Sequence, residues 1–365
     1  MKNSFGNSIV ITLFGESHGD YIGAVLDGLA PGIKINEDHI SAKLAQRRPS
    51  GSISTARVEA DEYSIVSGAF NGYTTGAPLC ILIPNTNKKS SDYGEALDIP
   101  RPGHADYTAR VKYHGFEDHR GGGHFSGRLT AAIVAAGAIL GSALADKGIK
   151  IGSHITELHG AFDRPFEDIE ADIDYVNSKV FPALTDSAEA SMIKEIEKAR
   201  ALGDSVGGIL ESAIIGLPAG IGEPWFDSME SMLSHALFSI PAVKGVEFGL
   251  GFAFADVYGS EGNDEFSVCD GRVVTDTNNN GGINGGITNG MPITFRTVIK
   301  PTPTIFKEQT SVSLSRMENT ALKNNGRHDP AIIHRARAVV DAMAAIVMAD
   351  MLTARYGTDY LATKE

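Results

Sequence analysis

Two histidines, each inside a glycine-bounded loop, are the first candidates for chemistry in this chain. His18 belongs to residues 15–19 (GESHG), and His104 follows a Pro-Gly turn that begins at Arg101. An imidazole that titrates near neutral pH can give a proton to a leaving oxygen, and a neighbouring arginine can hold the departing anion. Asp106 lies two residues beyond His104 and can orient its ring. The pattern predicts acid catalysis on a phosphate or a carboxylate.

The GESHG run also has the letters of the G-x-S-x-G nucleophile elbow, in which a strained turn exposes a catalytic serine. Ser17 would then be the nucleophile of a serine hydrolase. An α/β-hydrolase needs several strands before its elbow, and position 17 leaves no room for them. A second alternative is a flavin- or phosphate-binding module without turnover. Spacing alone leaves both alternatives open.

The histidines between residues 101 and 128 could also bind a metal ion. The four imidazoles there are His104, His114, His119 and His124. Their ten- and five-residue gaps match no helical pair of ligands, and no cysteine accompanies them. The spacing therefore predicts no metal site.

Glycines and basic residues gather in the other loops. Residues 121–123 (GGG) precede a predicted helix, so their backbone N–H groups can bind an anion. The Asn/Gly-rich loop 281–290 offers a second cradle, without the G-x-G-x-x-G spacing of a dinucleotide fold. The loops also contain Arg47, Arg48, Arg101, Arg128 and Arg327. With one carboxylate at Asp329, this set predicts a site for a small polyanion with proton transfer.

Predicted strands must position several of these loops. The β-branched residues 8–14 (SIVITLF) predict a strand that runs into GESHG. Small and apolar residues at 207–220 and 243–259 predict further strands, and 292–300 predict another after the polar loop 276–290.

Four helices are predicted around them, including a solvated helix over 191–201. One begins at a cap on Asn36 or Asp38 and ends near Arg47, one covers 131–145, and one covers 334–353. Strands in hairpin-like groups and few helices indicate one compact mixed α/β unit.

Composition limits the classes of protein further. The chain has 365 residues, and 32 Lys+Arg against 45 Asp+Glu leave a net charge of −13. This balance argues against a general binder of nucleic acid or of an anionic membrane, which needs a basic face. Cys80 and Cys269 form no disulfide framework, and the longest apolar run, 131–145, is shorter than the roughly 20 residues of a membrane span. We expect a cytoplasmic protein.

Six motifs, in order along the chain, resemble those of the chorismate synthase family. They are GESHG at 15–19, RRPSG at 47–51, RPGHADYTARVKY at 101–113, GGG with S-x-R at 121–128, KPT at 300–302 and RHDP at 327–330. In that family 5-enolpyruvylshikimate 3-phosphate loses phosphate and a ring proton in a 1,4-anti elimination. This last common step of the shikimate pathway needs reduced FMN without net redox change.

The resemblance implies how the substrate is bound. Arg48, Arg101 and Arg327 look like the clamps for its carboxylate and phosphate groups, with Arg128 among the substrate-binding residues. His104 looks like the general acid toward the leaving phosphate.

The resemblance also implies a flavin site. His18 looks like the imidazole that protonates or steadies the reduced ring, and Asp329, through Ser17 and Ser126, looks like the relay serving the flavin N5 that takes up the ring proton. The residues that would hold FMN are His124, Phe125, Ser126, Ala242, Gly285, Lys300, Pro301, Thr302, Pro303, Thr304, Arg327 and Arg48. Arg48 is also linked to NADPH, and the sequence leaves open whether NADPH or an outside reductase reduces the flavin.

Three segments depart from the family pattern. The usual R-S-S-A-R-E-T run is HFSGRLT at 124–130, which removes an arginine contact at 124. Pro241 replaces the usual asparagine before Ala242, and Pro303 replaces a serine, so a hydroxyl contact is lost there.

The family fold is an α+β single-domain β-α-β sandwich, with a helical layer between antiparallel sheets. For this chain the resemblance implies one catalytic domain over residues 1–365, assembled as a homotetramer.

Overall fold

The computed structural model describes residues 2–49, 51, 53–54, 61–86, 98–324 and 329–363. Arg327, predicted to bind substrate and flavin, lies outside the described residues. The helices are α1 (Glu37–Arg47), α2 (Asp106–Tyr113), α3 (Thr130–Ala145), α4 (Ile169–Ser178), α5 (Asp186–Ala201), α6 (Met229–Ser239), α7 (Gly259–Gly262) and α8 (Ile333–Tyr356).

The strands up to the middle of the chain are β1 (Ser4–Phe5), β2 (Val10–Gly15), β3 (Tyr21–Asp27), β4 (Ser64–Ser67), β5 (Ala69–Phe70), β6 (Tyr73–Thr74), β7 (Leu79–Pro84), β8 (Lys150–Leu158) and β9 (Ala161–Phe162). Those that follow are β10 (Gly208–Ile215), β11 (Val243–Phe248), β12 (Phe266–Cys269), β13 (Arg272–Thr275), β14 (Ile283–Asn284), β15 (Ile287–Thr288), β16 (Ile293–Ile299), β17 (Gln309–Ser313) and β18 (Glu318–Leu322).

Two five-stranded antiparallel sheets form the outer layers. Their strand orders are β1-β2-β3-β7-β4 and β11-β16-β10-β8-β9. In the first sheet Val10 pairs with Asp27 and Gly15 with Ile22, so β2 and β3 meet at the GESHG turn. This register fixes where Ser17 lies relative to the sheet edge.

Helices α3 and α8 form the layer between the two sheets. Helix α3 contacts β3 and β7 of the first sheet and β8 of the second, while α8 packs against α3, β8 and β10. The two helices can approach closely because Gly137 has no side chain. A Cβ at Gly137 would lie only 2.5 Å from the Ala342 Cβ. This is the β-α-β sandwich that the resemblance implies, and the α+β class is confirmed.

Helix α1 shows how local sequence delivers an arginine pair to the site. The Asn36 side chain accepts a hydrogen bond from the backbone N–H of His39 at 3.0 Å, which caps the helix. Ile40 and Leu44 are buried, and the helix ends at Arg47. Arg48 then leaves the helix in an extended conformation, so the two arginines lie at its carboxyl end.

The strand predicted over 243–259 is only partly correct. Strand β11 ends at Phe248 because Gly249 and Gly251 adopt left-handed φ values of +54° and +56°, which end the extended conformation. A 3₁₀ segment at Gly251–Asp256 and the short helix α7 follow. The other strands and helices predicted from the sequence are present, with ends that differ by a few residues.

One helical stretch, Gly127–Ala145, has the length and the mean hydropathy, 1.7, of a membrane-spanning helix. Within its apolar window 83% of the residues are buried inside the protein. Such a composition also suits the core helix that α3 forms between the sheets.

Candidate active site

The turn between β2 and β3 buries a serine and a histidine side by side. Ser17 is 2% exposed and His18 is 6% exposed. The backbone N–H of Ser17 donates to the carbonyl of Gly123 at 3.1 Å, which joins the turn to the triple-glycine loop. The Ser17 Oγ is buried without a hydrogen-bond partner in the described part of the chain.

The triple-glycine loop separates His18 from His104. Gly121, Gly122 and Gly123 have φ values of +62°, +87° and +54°. A Cβ at Gly121 would lie 2.3 Å from the His18 ring, and one at Gly122 would lie 3.2 Å from His104 Cε1. Bare backbone therefore lets both imidazoles approach one loop, as their roles in one site require.

His104 is oriented by a carboxylate that an arginine also holds. The His104 Nδ1 lies 2.6 Å from the Asp106 Oδ1, and Arg101 binds both oxygens of Asp106 through Nε and Nη2 at 2.8 Å. Burial opposes ionisation of Asp106, but the hydrogen bonds from Arg101 and His104 outweigh burial and hold the pKa of its carboxyl well below the usual range. Because the carboxylate can only accept, Nδ1 donates to it and Nε2 is the nitrogen available for chemistry.

Three arginines surround one buried carboxylate. The Asp61 Oδ2 lies 2.9 Å from the Arg47 Nη2 and 3.6 Å from the Arg48 Nε, and Oδ1 forms an ion pair with Arg128. Burial raises the pKa of Asp61, but the charges of Arg47 and Arg128 lower it more, so the net shift is downward. Arg48 is 34% exposed and lines a cavity of about 570 Å³. This cluster has an excess of positive charge, which suits an anionic ligand.

The 300–304 loop packs against the loop that carries His104. Lys300 Nζ donates to the Gly103 carbonyl at 2.6 Å, and a Cβ at Gly103 would lie 3.3 Å from the Pro303 Cβ. The Thr302 hydroxyl donates to the Asp329 carbonyl at 2.9 Å. Segments that are about 200 residues apart in sequence thus form one wall of the site.

Comparison with known proteins identifies the family. The family model for chorismate synthase matches residues 9–353. The chain belongs to the chorismate synthase family. It is 48% identical to the chorismate synthase of Thermococcus gammatolerans, over 96% of this chain and 97% of that protein. The chorismate synthase of Dehalococcoides mccartyi (strain BAV1) is 45% identical, over 96% of both chains.

A solved structure of the chorismate synthase family supports the same assignment. A crystal structure of a chorismate synthase superposes with a TM-score of 0.76 at 29% identity, covering 98% of this chain and 95% of that one. Membership of the chorismate synthase family makes the chain a carbon–oxygen lyase that acts on a phosphate in aromatic amino acid biosynthesis. The family requires a reduced flavin and a small-molecule substrate.

The serine hydrolase alternative has no support. A serine nucleophile needs a base within hydrogen-bond reach, and the Ser17 Oγ has no such partner among the described residues. The relatives named above are chorismate synthases, so a binding module without turnover has no support either.

The structure brings some of the predicted flavin residues to the histidines. His124 Nδ1 lies 2.8 Å from the carbonyl of Gly15, at the end of β2. A Cβ at Gly122 would lie 3.9 Å from the Ser126 Cβ, so this serine borders the triple-glycine loop. The Phe125 ring is 37% exposed and meets Tyr113 edge to face.

Other predicted flavin residues lie on neighbouring segments. Ala242 adopts a left-handed φ of +77°, and its carbonyl accepts from the N–H of Lys300 at 2.9 Å. Gly285 lies in the turn of the β14–β15 hairpin, where the next residue, Gly286, packs against Ser228 at the start of α6. The structure therefore connects Ala242 directly to the 300–304 loop.

Within the described residues the predicted relay is open at Ser17. Asp329 is buried and forms an ion pair with Arg335. The Ser126 Oγ accepts from the backbone N–H of Arg128 at 3.2 Å, whereas the Ser17 Oγ has no partner among the described residues. The relay through Ser17 and Ser126 stays a prediction.

Two functional candidates were not found from the sequence, Asp61 and Asn85. Asp61 holds the arginine cluster, and the Asn85 side chain contacts the GESHG turn. Neither lies in a sequence motif whose spacing indicates chemistry. The position of Asn85 directly after a strand is a weak indication of a site residue. Within the described ranges no group of three or more His, Cys, Asp or Glu side chains could hold a metal ion.

Proposed function

We propose that this chain eliminates phosphate from 5-enolpyruvylshikimate 3-phosphate to give chorismate, using reduced FMN without net redox change. One observation carries the proposal: His18 and His104 lie against adjacent glycines of one loop, and the Arg101 Nη2 lies 3.1 Å from the His104 Nδ1. A phosphate ester that must leave as an anion needs both a proton donor and fixed positive charge.

The residues present fit a flavin. Ser17 offers a buried hydroxyl without a partner among the described residues, and the left-handed glycines leave backbone surface bare for a close approach. We assign FMN to His124, Phe125, Ser126, Ala242, Gly285, residues 300–304, Arg327 and Arg48. When bound, reduced FMN supplies the electronic chemistry of the elimination. His18 steadies or protonates the reduced ring in this proposal.

His104 is the general acid toward the leaving phosphate. Asp106 keeps the Nδ1 proton of His104 engaged, so Nε2 can carry the proton that is given to the phosphate oxygen. Arg101 gives Nε and Nη2 to Asp106, which leaves Nη1 for the substrate. Positive charge beside the acid then stabilises the departing anion.

The remaining roles are those that the family resemblance implies. Asp329, with Ser17 and Ser126, carries away the ring proton. Arg48 and Arg327 hold anionic groups of the substrate. Arg128 holds the arginine cluster in position, since its guanidinium binds Asp61, Asn85 and the Pro84 carbonyl.

Replacement of His104 tests the acid role. His104→Ala should slow phosphate release roughly 10²-fold or more and leave flavin affinity largely unchanged, because the side chain gives a proton without holding the ring. Single-turnover phosphate release and an FMN titration measure the two quantities separately. His159→Ala, at an exposed hairpin residue, is the control. Equal losses in rate and in flavin affinity would contradict the assignment.

The proposal extends to the whole protein. Helices and both sheets share one continuous hydrophobic core, which supports a single catalytic domain over residues 1–365. We propose that the protein is a homotetramer in the cytoplasm. Large side chains such as Trp225, Phe226 and Phe252 are more than 80% exposed in the single chain, which supports an interface between subunits. Light scattering of the purified protein measures the assembly. Anaerobic mixing of the FMN-loaded protein with NADPH distinguishes intrinsic flavin reduction from an outside reductase.

A further inference from the structure

Asn85 connects the turn that carries His18 to the arginine cluster. It is the first residue after β7, and it is 8% exposed. Its Nδ2 donates to the carbonyls of Glu16 and Gly19, both at 3.0 Å. Its Oδ1 accepts from the Arg128 Nε at 2.9 Å. Because carbonyls only accept and a guanidinium only donates, these partners fix the orientation of the amide.

The Glu16 and Gly19 carbonyls lie on either side of the site residues of the turn. Ser17 and His18 are the only residues between Glu16 and Gly19. The Asn85 side chain therefore holds both ends of the turn, while its own backbone N–H donates to the Asp20 carbonyl at 3.0 Å. On the other side the Ser17 N–H binds Gly123, so the turn is held from two directions.

The Asn85 Oδ1 connects the turn to the arginine cluster through its hydrogen bond from Arg128. Arg128 pairs with Asp61, and Asp61 pairs with Arg47 and contacts Arg48. One amide thus sets the position of the His18 turn relative to the Arg48 charge. No other amino acid of this size has two donors and an acceptor in one plane.

We infer that Asn85 is a positioning residue for this enzyme: it fixes the His18 turn relative to the arginine cluster. The inference rests on the role given to His18 in the proposed function. Asn85 itself does not take part in proton transfer.

Asn85→Asp tests the inference with almost no change of shape. The aspartate keeps an acceptor for Arg128 but loses both donors, and its second oxygen faces the carbonyls of Glu16 and Gly19. We expect kcat to fall roughly 10²-fold, since a displacement of about 1 Å in a catalytic group has this effect, while KM changes less than about threefold. The ring signals of His18 in histidine-labelled NMR spectra should also shift.

Asn177→Asp is the matched control. Asn177 on α4 also donates through Nδ2 to a carbonyl, that of Ile151, and accepts from Lys43 through Oδ1. It should keep the wild-type kcat and His18 signals. If Asn85→Asp does not fold, Asn85→Ser removes the same clamp without adding charge, and the same losses are expected.

The outcomes separate the two claims. A folded Asn85 variant with wild-type kcat and unshifted His18 signals would overturn the inference. A kcat loss that is matched by Asn177→Asp would overturn it too, because the effect would then be general destabilisation. Failure of the wild-type protein to turn over would contradict the proposed function, whereas the NMR comparison would still decide the role of Asn85.

Discussion

Asp61 and Asp106 are ionised because their arginine partners help to lower the pKa of each carboxyl, against the opposing effect of burial. Asp106 is bound by Arg101 and His104, and Asp61 by Arg47 and Arg128. Each carboxylate fixes groups that would otherwise be mobile cations on long side chains. Removing one partner from a buried pair of this kind costs about 3–5 kcal/mol, since the other charge stays buried. These pairs preorganise the site before any ligand binds.

Gly121 sets the distance between the triple-glycine loop and His18. Gly121→Ala should lower kcat by at least tenfold, because its Cβ would lie 2.3 Å from the His18 ring and must displace it. Steady-state assays with reduced FMN measure the change.

Gly160→Ala is the control for backbone strain in the Gly121 experiment. Gly160 also has a left-handed φ, +84°, but no atom of the described residues packs within 4 Å of its Cβ position. The control should keep wild-type kcat, and a wild-type kcat in Gly121→Ala would refute the proposed contact.

His18, His104 and Asp106 could be identified from sequence because each lies in a short motif with its chemistry nearby. Asp61 and Asn85 could not, since their partners are distant along the chain: Arg128 is 67 residues from Asp61, and Glu16 is 69 residues from Asn85. Only the folded chain brings these partners together.

At the scale of elements, the contact between α3 and α8 forms the centre of the sandwich. Gly137 permits it, because its Cβ position lies 2.5 Å from the Ala342 Cβ and 2.6 Å from its Cα. Gly141, one turn further along α3, has no atom closer than 3.9 Å to its Cβ position. The two glycines thus differ in packing although both lie in one buried helix.

This difference predicts opposite effects of the same substitution. Gly137→Ala should reduce the free energy of unfolding by about 1–3 kcal/mol, because the helices must separate. Gly141→Ala should leave it unchanged or raise it by up to about 1 kcal/mol, since alanine favours the helix. Chemical denaturation measures both. Equal effects of the two substitutions would contradict the close packing at Gly137.

The helices with local signals could be predicted, and those without could not. The cap at Asn36 and the apolar composition of α3 are properties of the sequence alone. Helix α2 was not predicted because Tyr107 and Val111 are exposed and only Ala109 is buried, so its sequence has no sustained apolar period. Contacts with other segments, such as the edge-to-face contact between Tyr113 and Phe125, hold that helix in place.

At the scale of the whole molecule, the sandwich assembles the site from segments that lie far apart in the chain. The GESHG turn comes from the first sheet, the triple-glycine loop precedes the central helix, and the 300–304 loop follows the second sheet. Strands β2, β10 and β16 and the start of β11 could be predicted, but the order of strands in the sheets could not, because alternation within a strand does not specify its neighbours. The family resemblance supplied the sandwich architecture.

Stability of the whole molecule should depend on pH through His334. Burial, and then the charges of Arg335 and Arg337, lower its pKa to about 3, against an ordinary 6.5. Between these values the unfolded chain binds a proton that the folded chain does not. The free energy of unfolding should therefore fall as pH decreases below 6.5, by up to about 1.4 kcal/mol per pH unit from this group.

His334→Gln tests this dependence, because glutamine is uncharged throughout and can still bond to Ser54. Denaturation at several pH values should give a smaller slope below pH 6.5 for this variant than for the wild type. The exposed His159→Gln serves as a control, with a slope close to that of the wild type. Identical slopes for wild type and His334→Gln would rule out a buried neutral His334.

The central claim is that this fold brings His18, His104 and an arginine cluster together for a reduced-flavin-dependent phosphate elimination. Anaerobic incubation of the purified protein with 5-enolpyruvylshikimate 3-phosphate and dithionite-reduced FMN tests it most directly. Phosphate release and the diene absorbance of chorismate are followed, with oxidised FMN as the control. We predict turnover only when the FMN is reduced. Turnover with oxidised FMN, or no turnover with either form, would contradict the claim.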